Sequence, residues 1–261
     1  MLVNMKEILK DAEEKHYAVG CINTPNVETI RAIIGAAEEL NVPIIIDHAE
    51  VHDSLIPIES IGPKMVEYAK NAKVPVCVHL DHGSDYNFVM RAIRSGFSSI
   101  MYDCSALPFE ENIGKLKHFT KIAHNLGLTV EAELGIMSST EEDSHGGKPL
   151  TREDIRKSFT DPDQAAEFAV RTGVDALAVC FGTMHGIYAE EPLLDIDRVK
   201  AIRAAMPKDC RVVMHGGSGV DTAQVQAAIS AGCSKINYYS YMAKGTSKHI
   251  YETLHKVNGS A

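Results

Sequence analysis

The chain of 261 residues lacks the features that mark several classes of protein. None of its apolar runs reaches the roughly 20 residues that a membrane-spanning helix needs. The pattern of residues 1–16 predicts an amphipathic helix that carries acidic residues, which is not the pattern of a signal peptide. No run of Lys or Arg occurs, and the net charge is −9. These absences argue against nucleic acid or a membrane as the main partner, although a small anionic ligand needs only a local pocket of donors.

Paired cysteines are also missing. The six cysteines form no C-x-x-C pair, and most lie inside or beside apolar runs. This placement favours small buried side chains in a reducing compartment over a disulfide framework or a thiolate metal site. We therefore expect a cytoplasmic protein.

Short apolar segments alternate with amphipathic ones along the whole chain. The apolar segments are rich in Val and Ile, as are strands of a parallel sheet that is covered on both faces. They comprise residues 18–22, 42–46, 74–80, 98–102, 128–133, 176–179, 211–214 and 234–237. Helical patterns lie between them, as at 26–40, 85–95, 161–172 and 221–231, with capping residues at their starts.

The spacing of these segments predicts the fold. One strand and one helix take roughly 33 residues, so eight such units predict an α/β protein with a single (β/α)₈ TIM-barrel domain over residues 1–261. A doubly wound open sheet would need a G-x-G-x-x-G turn after the first strand, and no glycine occurs there. The segment at 135–159 is long, polar and breaks the rhythm, and we interpret it as a lid loop.

Polar residues follow nearly every predicted strand, at the end where a TIM barrel carries its chemistry. Three of them are histidines beyond three different strands, namely His82, His185 and His215. Three imidazoles on converging strand ends, with carboxylates nearby, predict a Zn²⁺ site that keeps an open position. His79 lies deeper in the same stretch, and we expect it to make a core hydrogen bond.

The sequence HGGSG at 215–219 follows the seventh predicted strand and leads into a helix. Backbone N–H groups of such a turn hold phosphate well, and the loops after strands seven and eight are the usual phosphate site of a barrel. A metal centre and a phosphate cradle on one rim predict a phosphorylated substrate whose carbonyl or hydroxyl group reaches the metal.

Five motifs occur in order, and together they resemble one family. They are HLDHG at 79–83, MYDCSALPFEENI at 101–113, EAELG at 131–135, TGVDALAVCFGTMHGIY at 172–188 and HGGSG at 215–219. The chain resembles the class II, zinc-dependent ketose-bisphosphate aldolases, from about residue 5 to residue 237. The resemblance implies a lyase of carbohydrate metabolism that cleaves a ketose phosphate between C3 and C4, giving dihydroxyacetone phosphate and an aldehyde.

The resemblance also implies roles for individual residues. His82, His185 and His215 would hold one Zn²⁺ per subunit, with Glu133 near an alternative metal position. Asp81 would be the acid/base at the C4 hydroxyl, and Glu141 or Glu142 the lid residue that transfers a proton to the enediolate carbon. The positions that match substrate or phosphate contacts are Asn23, Gly186, Gly216, Ser218 and Asn237. Family members often bind Na⁺ or K⁺ beside the phosphate, and they are commonly homodimers or homotetramers.

Several positions depart from the family pattern. Residues 189–191 read AEE where a lysine is usual, and Tyr239 stands where the family has a small or acidic residue, while Ser240 keeps a hydroxyl group. The chain ends at Ala261, without the longer tail that carries an arginine for the second phosphate in many members. Asp47, His48 and His52 occupy a rim where Ser or Gln is common. A His-x-x-x-His pair could bind a second metal on one helical face, but we favour hydrogen bonding to a polar substrate end. These departures favour a substrate other than fructose 1,6-bisphosphate.

Other functions fit parts of the same pattern. A metal-dependent hydrolase on a TIM barrel would use Asp81 as the base, and a non-catalytic sugar-phosphate-binding relative would keep the fold without the chemistry. A Schiff-base aldolase would need a lysine, but Lys235 stands at the entry of the last predicted strand, the end away from the site. The C-terminal segment 241–257 has an apolar stripe, available either for subunit contacts or for packing on the barrel.

Overall fold

The structure is a computed structural model that describes residues 1–135, 156–186 and 192–256. Nine strands form one parallel sheet in the order β1-β4-β3-β2-β9-β8-β7-β6-β5, and the pairing of β4 with β5 closes strands β2–β9 into an eight-stranded barrel. The strands are β1 (Leu2–Val3), β2 (Val19–Asn23), β3 (Ile44–Ala49), β4 (Val76–Gly83), β5 (Ser99–Tyr102), β6 (Thr129–Leu134), β7 (Ala176–Val179), β8 (Arg211–Met214) and β9 (Cys233–Tyr238). The predicted (β/α)₈ barrel is confirmed.

Helices surround the barrel, and short polar side chains fix where several of them begin. Within the described residues they are α1 (Met5–Glu14), α2 (Val27–Leu40), α3 (Ile58–Asn71), α4 (Tyr86–Arg94), α5 (Phe109–Asn125), α6 (Pro162–Thr172), α7 (Ile196–Ala205), α8 (Thr222–Ala231) and α9 (Ser240–Lys256), with a 3₁₀ turn at Glu50–His52. Asn26 and Asp161 cap α2 and α6 by accepting backbone N–H groups. Both helices then end at a residue in the left-handed conformation, Asn41 and Gly173.

Two hydrophobic clusters stabilise the barrel. The larger cluster lies between the strands and the surrounding helices. The smaller cluster fills the barrel interior, where Met5, Ile8 and Leu9 of α1 pack against inward side chains such as Cys21 and Val213. Helix α1 therefore closes the N-terminal end of the barrel, and the opposite end remains for polar groups.

Three boundaries differ from those predicted. Residues 1–16 are not one helix, because Leu2 and Val3 pair with β4 and the side chain of Asn4 caps a helix that begins only at Met5. Strands β3 and β4 run further than predicted, since they stay paired in register as far as Ala49 and Asp81. Consequently Asp47 and Asp81 lie within strands, where the pairing holds their backbone.

Helix α9 makes less contact with the barrel than its neighbours do. None of its residues is buried, and Ile250, Tyr251 and Leu254 are exposed. Only its first turn, residues 240–243, is half-buried, and the rest of its apolar stripe is exposed. None of the described helices is both long and apolar enough to cross a membrane.

We expect Leu9→Ala to lower the free energy of unfolding by about 2–5 kcal/mol, because it leaves a cavity in the smaller cluster. Leu9 is fully buried, whereas the adjacent Lys10 is exposed. Urea unfolding followed by circular dichroism measures the change, and Lys10→Ala serves as the control on the same helix. Equal unfolding midpoints for the two variants would contradict the role given to α1.

Candidate active site

The two-residue alternation of each strand directs one set of side chains to the barrel axis. At the N-terminal end of the barrel, these inward side chains belong to the apolar smaller cluster. Towards the carboxyl ends of the strands the set becomes polar. The buried or half-buried members of this polar set are Asn23, Asp47, His79, Asp81, Glu131, Glu133, His215, Lys235 and Asn237. Buried polar groups must be paired, so the way these residues satisfy each other determines the chemistry of the site.

A bulge in β4 brings His82 to the same point as Asp81. Alternation alone would direct these neighbours to opposite faces. The pairing of β4 with β5 shifts by one residue between Leu80 and Gly83, and His82 has a left-handed φ of 46°. Such bulges re-aim side chains, and strain of this kind is characteristic of functional sites. Gly83 permits the bulge, because a Cβ there would lie 2.6 Å from Leu80 Cδ2.

Close backbone packing brings His185 and His215 together. Gly216 follows His215 and has a left-handed φ of 64°. A Cβ at Gly216 would clash with the carbonyl group of Met184, the residue before His185. Only glycine allows the loops after β7 and β8 to meet in this way.

The three histidines predicted as metal ligands converge in space. One ring nitrogen from each of His82, His185 and His215 lies within 4.8 Å of the others, and theirs is the metal-compatible cluster found among the described residues. The ring centroid of His82 is 4.8 Å from those of both partners. Nε2 of His82 is buried and makes no hydrogen bond to a described residue. A buried imidazole nitrogen without a hydrogen bond suits a metal ligand, so this donor set fits a tetrahedral divalent metal with one open position.

Carboxylates orient two of these imidazoles. Nδ1 of His82 donates to Asp103 Oδ2 at 2.7 Å, so Nε2 is the ring nitrogen that faces the centre. Nε2 of His215 donates to Glu131 Oε1 at 2.9 Å, while its Nδ1 lies 3.2 Å from Glu133 Oε2. Metal-binding histidines generally have such partners, which fix the tautomer and the orientation of the ring. Glu133 thus stands beside the histidine cluster.

The electrostatics of this cluster favour a positive charge. Burial opposes protonation of His82, but Asp81, Asp103 and Glu133 outweigh it and raise the pKa of His82 to about 10. Burial and the two neighbouring histidines lower the pKa of His185 to about 3. Burial works against the charge on Asp81 as well, yet His82, His215 and Lys235 lower its pKa to about 2. Asp81 is therefore ionised at neutral pH.

A buried ion pair lies beneath the histidines. Nζ of Lys235 is 2.9 Å from both carboxylate oxygens of Glu131, and both side chains are fully buried. Lys235 also donates to Asn237 Oδ1 at 2.8 Å, and Asn237 Nδ2 donates to Asp81 Oδ1 at 3.1 Å. The interpretation that Lys235 is remote from the site is wrong, because its side chain extends along the barrel interior towards the carboxyl ends. As predicted, His79 makes a core hydrogen bond, to Ser99 Oγ at 3.0 Å.

The glycine-rich loop after β8 is anchored to β9. Gly217 N–H donates to the Asn237 carbonyl at 3.1 Å, and Tyr239 N–H donates to Ser218 Oγ at 3.0 Å. Because Ser218 Oγ accepts from the backbone, its own proton can be donated to a ligand. Asp221 already caps α8 by accepting from Ala223 N–H at 2.8 Å. The donors for an anion are therefore in the loop rather than at the first turn of α8.

A comparison with known families agrees with this architecture. The family model described as class II fructose-bisphosphate aldolase matches residues 3–260. The chain belongs to the class II fructose-bisphosphate aldolase family. Aldolases are lyases, so the predicted class of enzyme is confirmed.

Known proteins are similar to this chain over nearly its whole length. Protein YdjI of Escherichia coli K12 is 38% identical over 254 residues, covering 97% of this chain and 87% of YdjI. A crystal structure described as that of the YdjI aldolase superposes with a TM-score of 0.85 at 37% identity, and the match covers 97% of this chain and 87% of that one. Sulfofructosephosphate aldolase of Alkalicoccus urumqiensis is 40% identical over 235 residues, covering 90% and 79% of the two chains. Fructose-bisphosphate aldolase of Staphylococcus aureus N315 is 37% identical over 256 residues, covering 97% and 86%.

Some of the remaining predicted site residues lie near the polar set, and others lie outside the described residues. Asn23 joins the polar set, where its amide contacts the carboxylate of Asp47. Gly186 lies directly after His185 with a φ of 97°, and Ser240 is half-buried at the first position of α9. Glu141 and Glu142 lie outside the described residues, as does most of the predicted lid.

His48 does not share the inward face of β3. The alternation that directs Asp47 to the axis directs His48 outwards with Ile46, and the ring of His48 is fully buried. Its neighbour His52 comes nearer to the centre, with its ring 5.2 Å from that of Tyr239. The pattern HAEVH at 48–52 was the only signal for His52 in the sequence.

Sequence analysis missed the supporting residues of the aldolase site. Asp103 and Glu131 were visible as polar strand ends, but their hydrogen bonds to histidines depend on contacts between different strands. Lys235 offered no signal, since a lysine at the start of a strand is usually solvated. Glu131 stands two residues before the predicted Glu133, so strand alternation places both on the same face and would have indicated it.

We expect Asp103→Ala to weaken Zn²⁺ binding by about 10- to 100-fold, because His82 would lose the acceptor that orients it. Titration of the metal-free protein with Zn²⁺ against a competing chelator measures the affinity. Asp209→Ala, at an exposed aspartate away from the barrel mouth, is the matched control. Unchanged affinity in Asp103→Ala would show that the hydrogen bond does not support a metal ligand.

Proposed function

We propose that this aldolase cleaves a ketose phosphate between C3 and C4, giving dihydroxyacetone phosphate and an aldehyde. The observation that carries the proposal is the placement of the Asp81 carboxylate. It is buried, accepts a hydrogen bond from Asn237 and lies 4.0 Å from His82 Nε2, at the edge of the histidine cluster. An ionised carboxylate beside a metal-compatible cluster and a phosphate-compatible loop suits metal-assisted cleavage next to a ketone.

The cofactor that we propose is one Zn²⁺ per subunit, held by His82, His185 and His215. When bound, it would supply a Lewis acid that stabilises negative charge on the carbonyl oxygen of the substrate. Glu133, 3.2 Å from His215 Nδ1, would be a further oxygen ligand as the substrate enters or leaves. The three histidines come from separate strand ends, so the barrel itself sets their spacing.

Asp81 would act as the base in the direction of cleavage. It accepts the proton of the C4 hydroxyl as the C3–C4 bond breaks and the C4 carbonyl of the aldehyde forms. In the direction of condensation it returns that proton. The hydrogen bond from Asn237 holds the carboxylate in one orientation, so one oxygen remains for the substrate. Glu141 or Glu142 would protonate C3 of the leaving triose fragment.

The substrate phosphate would bind at the loop after β8. Ser218 is the proposed hydroxyl donor, and backbone N–H groups near Gly186 and Gly216 complete the site. Asn23 and Asn237 would contact the substrate hydroxyls, and Ser240 lies at the next loop along the rim. A Na⁺ or K⁺ ion beside the phosphate is part of the same proposal.

We propose a substrate with one phosphate or with a different distal polar group. The rim between β3 and β9 carries His52 and Tyr239. Burial lowers the pKa of His52, and burial raises the pKa of Tyr239, so both are uncharged at neutral pH. Neutral hydrogen-bonding side chains suit a hydroxylated end better than a second phosphate dianion. His48 supports this wall from behind, 6.1 Å from His52 between ring centroids.

We also propose a cytoplasmic homodimer or homotetramer. The six cysteines are buried and unpaired, as expected in a reducing compartment. The exposed apolar residues of α9 would be available to another subunit. Light scattering on a size-exclusion column measures the mass in solution.

We expect Asp81→Asn to lower the rate of triose phosphate release by about 10²- to 10⁴-fold, because the base is lost while the shape is kept. A coupled assay detects the product from a panel containing ketose 1-phosphates, fructose and tagatose 1,6-bisphosphates and sulfofructose phosphate. Zn²⁺ content and the melting temperature serve as controls for folding. Release of inorganic phosphate without triose phosphate would indicate a hydrolase, and no turnover of any substrate by the Zn²⁺-loaded wild type would contradict the proposal.

We expect EDTA treatment followed by dialysis to abolish cleavage, and added Zn²⁺ to restore it. The reason is that no lysine of the described residues stands free at the site, since Lys235 is paired with Glu131. The coupled assay measures both steps. Full activity after chelation, or covalent trapping of substrate by borohydride, would instead identify a Schiff-base enzyme.

A further inference from the structure

We propose that Lys235 is a positioning residue for the cleavage, because its ammonium group fixes the amide of Asn237 so that the amide N–H is directed at Asp81. The inference rests on the proposed function, in which Asp81 is the base. It concerns a residue that touches neither the metal site nor the substrate.

The hydrogen-bonding capacity of lysine decides the orientation of the amide. An ammonium group only donates, so the Asn237 atom at 2.8 Å from Nζ must be the carbonyl oxygen. The NH₂ group is then on the opposite side, where it lies 3.1 Å from Asp81 Oδ1. With no donor at Nζ, the amide could rotate and present its oxygen to the carboxylate, which would repel it.

The surroundings of Lys235 leave it no alternative position. Its side chain is fully buried, a further donor reaches Glu131 Oε1 at 2.9 Å, and Glu131 Oε2 lies within ion-pair distance, also at 2.9 Å. Glu131 is held in turn by His215 Nε2 at 2.9 Å. Glu131 on β6 therefore holds the ammonium group in place, and the ammonium group in turn holds the amide of Asn237.

This arrangement explains why a charge is present in the barrel. A buried ion pair rarely adds stability over apolar side chains of the same volume. An apolar pair at these positions would fill the barrel equally well but would not orient Asn237. The pair is thus best understood as a device that specifies the orientation of a catalytic group.

The test compares Lys235→Met with the wild type in the Zn²⁺-loaded protein. Methionine is close in size to the aliphatic part of the lysine side chain and lacks the donors. We expect kcat to fall by about 10- to 100-fold, in keeping with the loss of one hydrogen bond to a charged group, with a much smaller change in KM. We expect the same substitution to have little further effect on kcat in an Asn237→Ala background, because the residue it acts through is absent. Equal effects in both backgrounds would overturn the proposal.

A second measurement is independent of activity. In ¹⁵N-labelled wild type, the side-chain amide signals of Asn237, identified by their absence in Asn237→Ala, should shift in Lys235→Met. If Lys235→Met does not fold, the comparison is between Glu131→Gln/Lys235→Met, in which both charges of the ion pair are absent, and the wild type. Unshifted Asn237 signals overturn the positioning role, even if the enzyme is active. If the Asn237 signals shift in Lys235→Met but the wild type cleaves no ketose phosphate, the proposed function is contradicted and the positioning role is not.

Discussion

The alternation of side chains along eight closed parallel strands is the constraint on which the site depends. It makes the interior apolar where α1 closes the barrel and polar at the other end, so that groups distant in sequence meet around one axis. Closure also removes water from the lower part of the polar set. Each charge there must find a partner inside the protein, and this requirement turns a list of polar residues into a connected network.

The network is organised around few charges. Glu131 accepts from Lys235 and from His215, so that one carboxylate serves both the ion pair and the histidine cluster. Removing one member of such a pair leaves an unpaired buried charge, which costs about 3–5 kcal/mol. The site and the stability of the barrel are therefore linked, and substitutions at its centre affect both.

The sequence predicted the fold well because its signals are local. Strand runs, caps such as Asp161 and the glycines that end helices all act over a few residues. The three histidines were also predictable, since each stands at a strand end. The bulge at His82, the outward face of His48 and the path of Lys235 were not, because they depend on register and packing between strands. An error of one residue in a predicted strand end reverses the face to which the next side chain is assigned.

The contact between Gly216 and the carbonyl group of Met184 has a consequence for the geometry of the proposed metal ligands. His185 directly follows Met184, and His215 directly precedes Gly216. Their separation is therefore governed by two touching main chains, rather than by rotamers that thermal motion could change. The Zn²⁺ that we propose would therefore be held by two ligands at a fixed separation while it exchanged another ligand for substrate.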